Sequence, residues 1–285
     1  MLNVRNFTNF DIKFLQQKEL ELLEQFVNIC NKEKLQYYVL GGTMLGAVRH
    51  KGFIPWDDDI DVAMPREDYE KFLAVAQKYL NKPYFLQTHI TDEEYPLIFA
   101  KIRNSNTTFI QHCFNKYSMN HGVYMDIFPL DYYPTNKFKS FIVDLYNISL
   151  RFRIRFDLNN TKLPFYKQAV RKILFLILKI IYPNSNLVLQ KRDKLFKSIK
   201  KSSLLANYCG TWGKKEIVPV DWYGEGIDMQ FENLIVKVPT HYDKWLTQVY
   251  GNYMQLPPKE KQVSHHNTDI IDLENPYTKY IKRHK

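Results

Sequence analysis

Glycine is scarce in this 285-residue chain: there are ten in all, and none between Gly122 and Gly210. Cysteine is scarcer, with Cys30, Cys113 and Cys209 far apart and odd in number. That spacing excludes a disulfide framework and a CxxC metal site, and it suits a reducing compartment. No unbroken apolar run is long enough to span a bilayer. The opening MLNVRNFTNFDIKFLQQK has no apolar stretch of signal-peptide type, so a secretory leader is not expected and a cytoplasmic location is. Acidic residues are outnumbered 30 to 40 by basic ones, which leaves a net charge of +10. Basic surface of this kind suits nucleotides, lipid headgroups or polyanionic glycans. Nucleic acid is not an expected partner, because the chain shows no recognition helix, zinc-finger spacing or RNA-binding aromatic motif.

The few glycines concentrate where the acids do, between Tyr37 and Phe72. Tyr37 to Leu40 is aromatic and β-branched and reads as a buried strand. Gly41-Gly42-Thr43 breaks it and starts a short helix to about Arg49, with Thr43 as its cap. Paired glycines at a helix start let backbone N–H groups approach a phosphate, and the helix dipole favours the negative charge.

Trp56-Asp57-Asp58-Asp59-Ile60-Asp61-Val62 follows. On a strand of period two, Asp57, Asp59 and Asp61 share one face while Ile60 and Val62 enter a core. Carboxylates this close repel one another unless a cation sits between them, and oxygen ligands suit Mg²⁺ or Mn²⁺. A solvated acidic turn is the plain alternative, and the flanking Gly-Gly, Ile and Val argue against it.

An apolar-Gly-Gly turn, a short helix and then Asp-Ile-Asp resembles the nucleotidyltransferase superfamily. The longer string, Gly42-Thr43-Met44-Leu45-Gly46-Ala47-Val48-Arg49-His50 through Ile54-Pro55-Trp56-Asp57-Asp58-Asp59-Ile60-Asp61, is similar to the LicD family of phosphocholine transferases, related to fukutin-type enzymes. The gap from Gly42 to Asp59 is longer than usual for the superfamily, as it is in the LicD branch. The resemblance implies an α+β fold: a nucleotidyltransferase-like mixed sheet flanked by helices, with a helical insertion. It implies two Mg²⁺ or Mn²⁺ ions on Asp59 and Asp61. It also places donor substrate against Gly41, Gly42, Thr43, Arg49, His50, Trp56, Asp57 and Asp58.

Elsewhere the pattern is coarser. From Asp11 a helix carries Leu15, Leu22, Phe26 and Ile29 on one face, with Gln16, Gln17, Lys18, Glu19 and Glu21 as its solvated side. Pro65 opens another helix with Tyr69, Phe72, Leu73 and Ala76 inward. Tyr84–Gln87 and Leu97–Arg103 read as strands. In the second, Lys101 and Arg103 share a face, where they would lie over a phosphate or make ordinary surface pairs. In His121-Gly122-Val123-Tyr124-Met125-Asp126-Ile127-Phe128-Pro129-Leu130-Asp131, Asp126 interrupts an apolar run and needs a cation or strong hydrogen bonds. This string also resembles the LicD pattern, which implies that Asp126 is the third metal-binding acid. Asp131, expected in a turn after Pro129, is the fallback.

Residues 1–135 are therefore expected to form the catalytic core, 136–205 the helical insertion and 206–285 a segment completing the core. Within the insertion, Ala169 to Ile181 fits either a buried core helix or an interfacial helix on anionic lipid, with Arg171, Lys172 and Lys179 near one side. Peripheral contact with the inner face of the plasma membrane is the favoured expectation. Near the C-terminus, His265 and His266 are candidates for phosphate contact or proton transfer, and a zinc role is not expected.

The implied reaction is metal-dependent transfer of phosphocholine from CDP-choline to a sugar hydroxyl of a lipid-linked cell-surface glycan precursor, of teichoic-acid or lipopolysaccharide type. The alternatives are transfer of ribitol phosphate, glycerol phosphate or a nucleotidyl group, or a degenerate glycan-binding scaffold. The 39 Phe and Tyr residues offer ample material for a quaternary-ammonium cage.

Overall fold

The apolar stripe Leu15, Leu22, Phe26 and Ile29 is buried along helix α1 (Asn9–Glu33) in the computed structural model, which describes residues 9–155, 164–264 and 266–281. Phe26 anchors it, with its ring 5.1 Å from those of both Tyr37 and Phe72. Truncating so enclosed a ring to alanine costs about 3–5 kcal/mol.

Strand β1 (Tyr38–Val39) is only two residues long, because Gly41 turns the chain at φ +53° into helix α2 (Gly41–His50). Strand β2 (Asp61–Pro65) leads into helix α3 (Arg66–Tyr79), with Pro65 at the N-cap. Tyr69, Phe72 and Ala76 are buried along α3 at helical spacing, as expected.

Strands β3 (Tyr84–Gln87), β4 (Ala100–Asn104), β5 (Thr108–Gln111) and β6 (Val123–Tyr132) follow. The expected strand at Leu97 thus starts three residues later, at Ala100. The sheet runs β1-β2-β6-β4-β3, with β2 and β6 parallel and the remaining pairs antiparallel. Such a mixed sheet with flanking helices is the expected α+β arrangement.

Asp131 lies within β6, not in a turn, because Pro129 sits at a strand position without ending it. Its carboxylate takes a two-point bond from Arg66 at 2.7 and 2.6 Å. Asp131 therefore serves to pin the start of α3 to β6, and the fallback role as third metal-binding acid has no support in its surroundings.

Helices α4 (Lys137–Arg155), α5 (Phe165–Ile181) and α6 (Ser185–Lys197) come next. Helix α6 buries Val188, Leu189 and Phe196, and Arg192 there donates to Asn147 of α4. Helix α5 is different: of its described side chains, only Leu178 is buried. The buried-core reading of α5 is therefore corrected, since Leu178 alone among its described aliphatic side chains is buried.

Strand β7 (Leu204–Ala206) pairs with the end of β6, and strand β8 (Ile217–Pro219) pairs with β7. A short helix α7 (Val220–Tyr223) leads to a hairpin of β9 (Ile227–Phe231) and β10 (Leu234–Val238), then to helix α8 (Tyr242–Tyr250). Strand β11 (Thr268–Asp272) returns to pair with β5 in a separate two-stranded sheet.

Candidate active site

Strand register, not sequence proximity, assembles the acids. Asp61 on β2 lies opposite Asp126 on β6, and Asp126 lies opposite Lys101 on β4. Three charged residues from three strands thus form one row across the sheet. The Lys101 ammonium bonds Asp126 Oδ1 and sits 3.5 Å from the centre of the Tyr124 ring. Burial lowers the Lys101 pKa, and Asp126 opposes that shift. Arg103, two residues on and on the same face, is buried and spends its guanidinium on Gln87 and, at 2.7 Å, on the Gly122 carbonyl. Of the two expectations for it, a phosphate contact or ordinary surface pairs, the described partners are protein groups, and the pairing is buried and not at the surface.

The acid segment is less regular than expected. Strand β2 begins only at Asp61, and Asp57 to Ile60 are irregular. Ile60 and Val62 do enter the core, but Asp57 and Asp58 are both buried as well. Thr43 does not cap α2. Its hydroxyl accepts from the Asp61 N–H at 2.9 Å, which ties the helix start to the acid strand and leaves the α2 N-terminus without a side-chain cap.

Glycine is required at the junction. A Cβ on Gly41 would lie 3.1 Å from Asp61 Oδ2, and one on Gly42 would overlap Asp57 Oδ2. The α2 N-terminus therefore reaches the carboxylates only because both residues lack side chains.

Asp58 has a different environment from its neighbours. It is fully buried, and its two oxygens are engaged by the Ser264 hydroxyl and by His266 Nδ1 at 3.1 Å. His266 Nε2 then lies 3.8 Å from Asp59 Oδ2. Burial alone would lower the imidazole pKa, but the Asp58 bond and the charges of Asp59 and Asp58 outweigh it and push it up to about 9. Among the described residues Asp58, Asp59 and His266 form a group whose donor atoms lie within 4.8 Å of one another. With both Asp58 oxygens already bonded, the arrangement is an Asp–His pair that orients the ring toward Asp59. His265 lies outside the described residues.

The other carboxylates lack enough compensating charge. Burial, then neighbouring carboxylates, raise Asp61 and Asp57 well above the usual range. Burial, opposed next by the His266 charge, holds Asp59 up to about 6. Acids arranged in this way fit a divalent cation with oxygen ligands.

Two residues on α1 that the sequence presents as a solvated side belong to this site. Gln16 donates to the carbonyls of Ile54 at 3.1 Å and Asp57 at 2.9 Å, so it fastens the turn that carries the acids. Glu19 is 1% exposed, and its Oε2 has no hydrogen-bond partner. Burial first, then Asp59, Asp58, Asp57 and Asp61, push its pKa well up. Glu19 lies four residues after Leu15 and three before Leu22, on the buried stripe, and that spacing was the available signal.

Tyr250 of α8 is a further residue that sequence reasoning did not select. Its hydroxyl would lie 3.9 Å from a Cβ on Gly41, and burial followed by Asp57 and Asp61 raises its pKa. Arg49 is partly buried and donates to the Tyr253 carbonyl at 2.6 Å, with His50 beside it, while Trp56 is partly buried against the core.

The LicD/FKTN/FKRP nucleotidyltransferase-domain model matches residues 34–171. The chain is 32% identical over 255 residues to the lipopolysaccharide cholinephosphotransferase LicD of Haemophilus influenzae, covering 87% of this chain and 92% of that protein. The chain belongs to the LicD family. Shorter matches join it to uncharacterised proteins of Rickettsia typhi, 34% identical over 64 residues, and Rickettsia prowazekii, 42% identical over 48 residues. Those two cover 22% and 17% of this LicD-family chain. The acids Asp59, Asp61 and Asp126 lie inside the region matched by the family model, whereas Gln16, Glu19, Tyr250 and His266 lie outside it.

Proposed function

We propose that this LicD-family phosphotransferase moves phosphocholine from CDP-choline to a sugar hydroxyl of a cell-surface glycan precursor, with a divalent cation. The observation that carries the reading is the row Asp61–Asp126–Lys101 beside an uncapped helix start at Gly41–Gly42. Phosphoryl transfer asks for little covalent chemistry and much positioning and charge neutralisation, and this row is built from those elements.

Asp59, Asp61 and Asp126 would hold Mg²⁺ or Mn²⁺, which when bound supplies positive charge to the phosphoryl oxygens. The amides of Gly41, Gly42 and Thr43 would hold the donor diphosphate. Lys101 fixes Asp126 Oδ1 and adds a cation to the site, which leaves Oδ2 of Asp126 to hold the divalent cation, and the proton of the attacking hydroxyl passes to solvent water. In that step the sugar oxygen bonds to the choline phosphate phosphorus, the bond from that phosphorus to the bridging oxygen breaks, and CMP departs with the electron pair. His266, fixed by Asp58, keeps a positive charge beside Asp59.

The test is incubation with CDP-choline, CDP-ribitol and CDP-glycerol in Mg²⁺ with a glycan acceptor, following CMP release and acceptor labelling. Labelling from CDP-choline well above the other two supports the reading. A preference for CDP-ribitol or CDP-glycerol replaces choline with that alcohol and keeps the site chemistry.

A further inference from the structure

The surface farthest in character from the acid site is the outer side of the inserted helices. On α5, Val170, Ile173, Leu174, Ile177 and Ile180 are all exposed, Ile180 by 81%. Their spacing of three, one, three and three places them on one stripe. On α4, Phe138, Phe141, Ile142, Leu145 and Ile148 repeat the pattern, with Phe138 73% exposed. A monomeric soluble surface scatters such residues singly, whereas exposed apolar stripes on two helices in contact mark an interaction site.

Charge identifies the occupant. Helix α5 carries Lys167, Arg171, Lys172 and Lys179 and no acidic residue, and no acidic residue occurs between Asp157 and Asp193. Lys172 and Lys179 fall on the polar side of α5, away from the aliphatic stripe, the arrangement of an interfacial helix, and a second copy offers this segment further cations and no acid to meet them. An anionic bilayer supplies both an apolar layer and the opposite charge.

Crossing the membrane is a different matter. No single helix among the described residues is long and apolar enough, and the pair α5 and α6 that passes by composition is bent by 85°. Helix α6 is also committed to the protein, through buried Val188, Leu189 and Phe196 and the Arg192–Asn147 bond. Helix α5 meets α4 through Arg171, which lies over the Phe152 ring, and Phe175, whose ring lies under Arg153. The aliphatic stripe stays exposed beside those contacts.

We infer that α5, with the adjoining stripe of α4, lies in the plane of an anionic membrane surface, its aliphatic residues in the acyl boundary and its lysines among the headgroups. The inference stands on exposure and charge and does not depend on the transfer chemistry. It would hold the acid site at a membrane surface, where a lipid-linked acceptor is found.

Co-sedimentation of the full chain with vesicles of phosphatidylglycerol and phosphatidylcholine, compared with phosphatidylcholine alone, tests it. Binding to the anionic vesicles should exceed binding to the neutral ones at least tenfold and should weaken in high salt. The variant I173D/I177D changes two exposed residues, so its thermal midpoint should match that of the parent while vesicle affinity falls at least tenfold. Equal vesicle binding by parent and variant, or no vesicle binding by the parent, overturns the inference. So does a lipid-free dimer that the variant converts to monomer, since the stripe is then a contact between copies. CMP release from CDP-choline, measured without lipid on the same samples, reads the catalytic proposal separately.

Discussion

Asp61 and Asp126 stand opposite one another on parallel strands, and Lys101, opposite Asp126 on the other side, holds its Oδ1. Two carboxylates and one ammonium are therefore aligned on a rigid sheet. Asp61→Asn keeps the size of the side chain and removes one charge from the row. Transfer should fall by about 10³-fold or more while thermal stability stays level or rises, because fewer like charges repel. Steady-state CMP release and a thermal melt on one preparation check both halves.

Asp131 separates structural from chemical acids. Asp131→Asn leaves the Arg66 guanidinium short of its two-point partner in a largely buried setting. Breaking such a pair costs about 3 kcal/mol or more. Urea unfolding should show that loss, and turnover per folded molecule should stay within about threefold of the parent. A variant that keeps its stability and loses turnover would return Asp131 to the active site.

Gly42→Ala tests the close approach of α2 to the acids. The added methyl group overlaps Asp57 Oδ2, so either the carboxylate or the helix start must shift. A loss of about 1–3 kcal/mol in stability is expected, with weaker donor binding, because overpacking and displaced amides act together. Donor affinity measured by calorimetry should fall more than tenfold, and unchanged affinity would separate the glycine turn from the diphosphate.

The acid cluster also predicts a pH dependence. Asp59 has a folded pKa of about 6, above its ordinary value, with burial as the largest cause. A carboxyl raised on folding contributes stability fully below its unfolded pKa, and that contribution disappears as pH rises through the folded value. The stability of the parent relative to Asp59→Asn should therefore decline by up to about 3 kcal/mol between pH 4 and pH 7. Denaturant melts of both proteins across that range measure the difference directly, and saturating Mn²⁺ should cancel the decline in the parent. A difference that grows with pH would contradict this account of the cluster.

Much of this arrangement was written locally. The Gly-Gly turn, the burial of Ile60 and Val62 and the apolar run around Asp126 follow from periods of two residues and from glycine chemistry, and each appears in the structure. What was not legible depended on distant partners. Asp131 reads as a turn residue until Arg66, 65 positions earlier, is seen to bond it. Asp58 reads as one acid among several until Ser264 and His266 close over it from more than 200 positions away. Glu19 and Gln16 read as solvated because they are polar, although Glu19 lies on the stripe of Leu15 and Leu22. A polar residue on an apolar stripe is therefore a reason to look for a buried site. The exposure of α5 was also hidden, since an aliphatic helix has the same composition whether protein or lipid is to cover it.

Asp59, Asp61 and Asp126 are proposed to act as one cation-holding unit for phosphocholine transfer. The most direct measurement follows labelled choline from CDP-choline onto a glycan acceptor as Mg²⁺ is titrated, with the parent and with Asp59→Asn, Asp61→Asn and Asp126→Asn. Labelling by the parent should depend on Mg²⁺ and fall by about 10³-fold in each variant, with the chelated parent equally inactive. Labelling by the parent that survives chelation, or near-parental turnover in any one of the three variants, would contradict it.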